Sequence, residues 1–258
     1  MVAKRDLTAS GLARGLCLSG VGRAEPDAVG TEEAHRIEIR PLTPMTPRWF
    51  MRDVPLLILV ATIWACCIGV GVMAARARRH NVNTAWLVPK ERFERLLWLI
   101  WVPVIIAQNV LPALAIRRRH PLLAVPEVAL LHPVLSSLRW AASICVVLCF
   151  LVTVECWARM GTNWRIGVVP NQRSDLVTGG LYARIRHPIY AVSALLMLCA
   201  AVIVPTIPMM TVAVLHVTFL ILKARNEERF LLEEHGERYA EYRRRTGGFF
   251  PRLPSRNS

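Results

Sequence analysis

The residue types best suited to chemistry lie in two stretches of the C-terminal half. The first is Leu176–Tyr190, LVTGGLYARIRHPIY, which gathers Tyr182, Arg184, Arg186, His187 and Tyr190 between a Gly179–Gly180 pair and Pro188. The second is Arg225–Arg252, with Glu227, Glu228, Glu233 and Glu234 followed by Tyr239 and Tyr242. Proline at a first helical position loses no hydrogen bond, so Pro188 marks a helix start with His187 at its cap. The free N–H groups of such an end carry partial positive charge and suit a carboxylate. Arg184 and Arg186 add mobile cationic charge, while Gly179 and Gly180 permit a turn and a close approach of backbone to ligand. An acidic pair facing an Arg/His loop serves either charge complementarity or the hydroxyls and amine of a polar ligand. On its own, R-H-P-x-Y reads equally well as the marker of a membrane boundary.

Stepping from these residues to what must hold them, the composition points to a bilayer. The 258 residues are 54% apolar yet carry a formal net charge of +14. Basic loops outside neutral spans reconcile the two, and the arginines cluster at span ends, which speaks for lipid headgroups and against nucleic acid. Residues 1–50 show no periodicity and no apolar stretch after the basic start, so they read as a poorly ordered tail and not a secretory signal. Spans follow at about Val54–Ala75, Leu96–Ile116 and Trp140–Trp157, with Pro121, Pro126 and Pro133 breaking 120–138 into a re-entrant or interfacial connection. Gln108 and Asn109 are costly in lipid and must face the bundle. An interhelical hydrogen bond is their expected role, a cavity lining the alternative. Glu155 reads as a snorkelling interfacial acid, with a site residue as the alternative. The seven cysteines show no metal-ligand spacing, and small apolar fillers are the expected role for those in the spans.

The apolar run Ile189–Leu222 is too long for one crossing and is interrupted by Pro205 and Pro208. Two short helices joined by a tight turn satisfy it, and such a hairpin returns the chain to the face it left. The loop before it and the polar helix Lys223–His235 after it must then meet the same compartment. Five spans result, an all-α membrane bundle with a C-terminal hairpin and tail helices. Of the 32 Lys and Arg, 20 fall on the side of the loop and tail and 12 on the other, which puts the loop and tail in the cytoplasm.

In order and spacing, GTNWRIGVVPNQRSDLVTGGLYARIRHPIY followed by RNEERFLLEEHGERYAEYRRR resembles the C-terminal half of the isoprenylcysteine carboxyl methyltransferase family, related to the phospholipid methyltransferases. The resemblance covers about residues 161–252 and implies a multi-span enzyme using S-adenosylmethionine. It implies a cofactor pocket between loop and tail helix, open to the cytoplasm, with a lipophilic substrate entering from the bilayer. Carried over residue by residue, Leu176, Gly180, Tyr182, Arg186, His187, Pro188 and Tyr190 contact the cofactor from the loop, and Glu227 and Glu228 from the helix. Successive helical residues stand 100° apart, so only one of those two glutamates is expected to face the site. Arg225 or Arg252 would hold a substrate carboxylate, and His187 or a tail glutamate such as Glu228 would serve as base for an amine or hydroxyl acceptor. The chain departs from the family pattern at Ser174, Leu181, Ala183 and Val192, which bears on the shape of the pocket. A rival resemblance is to membrane sterol and enone reductases that bind NADPH. Those tend to show Asn before the tyrosine and Gly-Glu after it, where this chain has Ile189-Tyr190-Ala191. A non-catalytic membrane scaffold is the remaining alternative.

Overall fold

A computed structural model describes residues 53–80, 92–117, 120–161 and 176–252. The expectations for residues 1–50 and for Ser174 fall outside this range. The described residues form seven α-helices: α1 (Val54–His80), α2 (Arg92–Arg117), α3 (Glu127–Leu131), α4 (Pro133–Met160), α5 (Pro188–Ile203), α6 (Ile207–His235) and α7 (Glu237–Arg245). Four of them, α1, α2, α4 and α6, are long and apolar enough to cross a membrane, and α5 is a shorter apolar helix. Large apolar side chains stay exposed along them, Ile68, Leu99, Ile144, Leu198 and Val214 among these, as lipid-facing positions should. The all-α membrane bundle read from the sequence is therefore observed.

The helix ends follow local chemistry. Asp53 caps α1 by accepting from the Leu56 N–H at 3.3 Å. Thr206 accepts from the Met209 N–H at 3.4 Å to start α6, and Gly236 in a left-handed conformation (φ 54°) separates α6 from α7. Pro103 and Pro112 are accommodated inside α2. The third span begins earlier than expected, at Pro133 instead of Trp140. Pro133 sits at the first helical position, where it initiates the helix instead of breaking it. Among the described residues, 120–132 remain as a connection. The extra turns bring Arg139 inside, where it donates to both carboxylate oxygens of Asp53 at 2.8 and 2.7 Å and to the Ile203 carbonyl at 2.9 Å.

The expected hairpin forms. α5 packs between α4 and α6, and the turn between the last two is buried at Val204 and Thr206. A core of Leu59, Val146, Met197, Ala200, Ile203 and Met209 draws α1, α4, α5 and α6 together. Gly69 of α1 lies against the Trp157 ring of α4, where an added Cβ would come within 2.3 Å of it. At 29 residues α6 is about 43 Å long, more than the ~30 Å hydrocarbon thickness, so its polar last turns extend beyond the apolar layer.

Candidate active site

Between Leu176 and Pro188 the chain turns once through a 3-10 helix, Gly180–Ala183, entered through Gly180 in a left-handed conformation (φ 63°). This turn buries Tyr182, whose carbonyl accepts the Tyr242 phenol at 2.6 Å. The next residues run extended beside the segment after α7. The Arg186 and His187 N–H groups donate to the Gly247 and Gly248 carbonyls at 2.8 and 3.1 Å, and the Gly247 N–H donates to the Arg184 carbonyl at 3.0 Å. Gly247 is required there, because a Cβ would fall 1.7 Å from the Phe250 carbonyl oxygen. The C-terminal Thr246–Phe249 segment is thus a second wall of the loop, and sequence reasoning missed it. Its one visible signal is the Gly247–Gly248 pair directly after α7.

Charge organises the contact between loop and α6. Arg186 donates to Glu228 at 2.8 Å, to the Arg243 carbonyl at 3.2 Å and to the Thr246 carbonyl. His187 sits with its Nε2 3.2 Å from the same Glu228 oxygen and its Nδ1 3.7 Å from Glu227. Glu227 accepts the Tyr190 phenol at 2.7 Å and lies 3.8 Å from Lys223. The His187 and Tyr190 rings stack with centroids 5.5 Å apart. Both glutamates therefore engage the loop, although Glu227 alone of the two lines the cavity beside it. Long side chains on a 100° arc reach past each other when the partners, Arg186 and Tyr190, lie on either side of His187. Burial raises the phenols of Tyr182, Tyr239 and Tyr242 above their ordinary value, Tyr242 to about 12, so all three are neutral donors.

A cavity of about 570 Å³ opens beside this cluster, within the ~300–1,000 Å³ typical of ligand sites. Its rim carries Leu176, Tyr182, Arg186, His187, Pro188, Tyr190 and Glu227, and Tyr239 and Tyr242 join them. The Tyr182 and Tyr239 hydroxyls are buried there without a hydrogen-bond partner. From the rim the cavity runs between α1, α2, α4, α5 and α6, past Trp157, Trp101, His216 and Gln108. Four predicted residues lie outside the lining. Arg225 is exposed on another face of α6; Gly180 shapes the turn and backs onto the Arg159 side chain; Glu228 stands behind the rim and holds Arg186 and His187. Arg252 is also exposed and donates to the Arg244 carbonyl. Asn109 makes the expected interhelical contact, accepting from the Cys67 thiol at 3.6 Å, whereas Gln108 lines the cavity.

The helices that carry this cluster also carry the comparison with known proteins. Residues 138–238 match the phospholipid methyltransferase family. The family resemblance read from the sequence holds at this level, across α4, the loop, the α5–α6 hairpin and the start of α7. A cobalt-zinc-cadmium resistance protein, CzcN of Cupriavidus metallidurans, is 35% identical over 100 residues, or 37% of this chain. The chain covers 45% of that relative's length.

Proposed function

We propose that the chain is an integral membrane methyltransferase that uses S-adenosylmethionine and acts on a lipophilic acceptor admitted from the bilayer. The observation that carries the reading is the convergence of His187, Tyr190 and Glu227 on the rim of a cavity that continues into the apolar bundle. The groups present suit the cofactor. The two unpartnered phenols and the Glu227 carboxylate match ribose hydroxyls and an amino group, the aromatic rim matches an adenine, and the first turn of α5 matches a carboxylate. Glu227 also offers negative charge near a sulfonium. The cofactor supplies an electrophilic methyl group. The chain's part is to align the acceptor with it and keep water away, for which the walls of Trp157, Trp101 and Phe219 are suited. Arg186 and Glu228 serve as positioning residues for His187.

The excess of basic residues on the loop and tail side favours a cytoplasmic rim. A carboxylate on an isoprenylcysteine-like or isoprenoid molecule is the acceptor implied by the resemblance, and it needs no base. The test is titration of the purified chain in lipid nanodiscs with S-adenosylmethionine and, separately, with NADPH. We expect saturable binding of the first alone, weakened at least tenfold in His187→Ala with the melting transition retained. Binding of NADPH alone would favour the reductase reading, and binding of neither the scaffold.

A further inference from the structure

Two helices that pack together away from the rim find different partners beside it. Far from the rim, Leu59 and Ile63 of α1 share one core with Val104 and Ala115 of α2, and the Cys67 thiol donates to Asn109 at 3.6 Å. Toward the rim, Met73, Ala74 and Ala77 of α1 turn to Trp157 and Met160 of α4 and to Ile189. Leu97 and Trp101 of α2 turn instead to Phe219 and Leu220 of α6 and to Tyr190. Among the described residues, the first of these clusters holds none from α2 and the second none from α1. Pro103 lies between the two levels of α2, and a proline inside a helix gives up a backbone hydrogen bond and bends the axis.

The cavity occupies the space so left, with Cys66, Cys67 and Val70 of α1 on one side and Trp98, Trp101 and Ile105 of α2 on the other. Of the residues that line it, Val70 and Glu234 are exposed. Glu234 stands on the polar last turns of α6, the aqueous end. Val70 stands six residues, or about 9 Å of helix, before Arg76, within the apolar part of α1. The cavity therefore has one opening toward water and one toward hydrocarbon. Trp101 of the gap and Tyr190 of the rim belong to one cluster, so an amphiphile whose chain lies in the gap has its polar end within the rim. Entry past the charged groups of the rim would instead draw the chain through water, and each CH2 so exposed disfavours that route about fourfold.

We propose that the acceptor enters sideways, its apolar chain passing between α1 and α2 at Val70 and Trp98 from the leaflet next to the rim. The Cys67–Asn109 contact closes the far end of this mouth. The inference rests on the reading of the cavity as a methyl-acceptor site and names its route of entry and the class admitted, an amphiphile whose polar end stays at the rim. Both walls of the mouth lie outside residues 138–238, the segment matched to the phospholipid methyltransferase family.

Hexadecanoic acid carrying a mid-chain diazirine is added to the full chain in nanodiscs and irradiated, and its adducts are located by mass spectrometry. Adducts are expected on Trp101 and Ile105 of the gap as well as on the lipid-facing Ile68 and Leu99, and excess unlabelled acid should displace the first pair alone. Val70→Trp narrows the mouth and should lower the gap adducts at least fivefold relative to those on Leu99. Val72→Trp, 200° around the helix at a residue 48% exposed, should leave them unchanged. Trp98→Ala widens the mouth from its other wall and should raise them about threefold. Each variant is also melted and titrated with S-adenosylmethionine, whose affinity should be that of the wild type. Adducts on Ile68 and Leu99 alone overturn the mouth, as do gap adducts that neither fall in a folded Val70→Trp nor rise in Trp98→Ala. If the gap adducts respond as expected but the wild type never binds S-adenosylmethionine, the mouth stands and the methyltransferase reading falls.

Discussion

Glu227 and Glu228 are adjacent in sequence but answer to different neighbours, and substitution should separate them. Glu227 lines the cavity and holds Tyr190, so Glu227→Ala should weaken S-adenosylmethionine binding about tenfold with little loss of stability, read by titration and thermal melting. Glu228 lies behind the rim with 17% of its side chain exposed and pairs with an Arg186 side chain that is 12% exposed. Glu228→Ala leaves that guanidinium without its carboxylate, and should cost about 2 kcal/mol or more of stability as well as affinity. A second prediction at this scale concerns the phenols. All four tyrosines of the chain line the cavity, and three are raised by burial. Their folded values lie above the unfolded value of about 10, so the unfolded state loses protons first as pH rises. Their contribution is fully present below pH 10 and is lost as pH climbs from there through about 12, where Tyr242 titrates. Tyrosinate absorbance should therefore appear together with unfolding, and a gradual rise in the intact protein from pH 10 would contradict the burial.

At the scale of elements, the site is a loop clamped between two polar helices and a short extended tail. The seat of that tail depends on one missing Cβ. Gly247→Val must displace either the Phe250 carbonyl or the pairing with Arg184–His187, and cofactor affinity should fall more than about tenfold. Gly179→Ala is the matched control, since its Cβ meets nothing within 4 Å and its φ of −90° suits any residue. Equal losses in the two variants would mean that the tail segment does not shape the pocket. The L-V-T-x-G-x-Y and R-H-P-x-Y elements were readable because helix starts and turns obey local rules. The Thr246–Phe249 wall was not, since its pairing joins residues about sixty positions apart and leaves no periodicity.

Across the whole molecule, Arg139 ties the ends of three helices, reaching Asp53 before α1 and Ile203 at the end of α5. The pair is nearly inaccessible, with side chains 5% and 8% exposed. Removing one member strands the other, so Arg139→Met should destabilise the bundle by about 3–5 kcal/mol. Adding Asp53→Leu to it should return much of that loss, because neither charge is then buried alone. Denaturation of both variants in nanodiscs distinguishes this from a pair of negligible worth, for which Arg139→Met would melt like the wild type. In the sequence Arg139 stands directly before the apolar run from Trp140, and only its long-range partners show it to be buried.

Chain order and composition determined that this is a helical membrane protein with a proline-broken hairpin, because hydropathy, proline and glycine act through near neighbours along the chain. They also determined which two stretches must share a compartment, since a hairpin returns to its starting face. Tertiary structure alone decided that Glu227 faces the cavity while Glu228 stands behind it, that Arg225 points away, and that His216 and Gln108 line the same cavity. Those outcomes depend on how side chains from separate helices interleave, and that geometry is set by packing between helices and not by any local pattern.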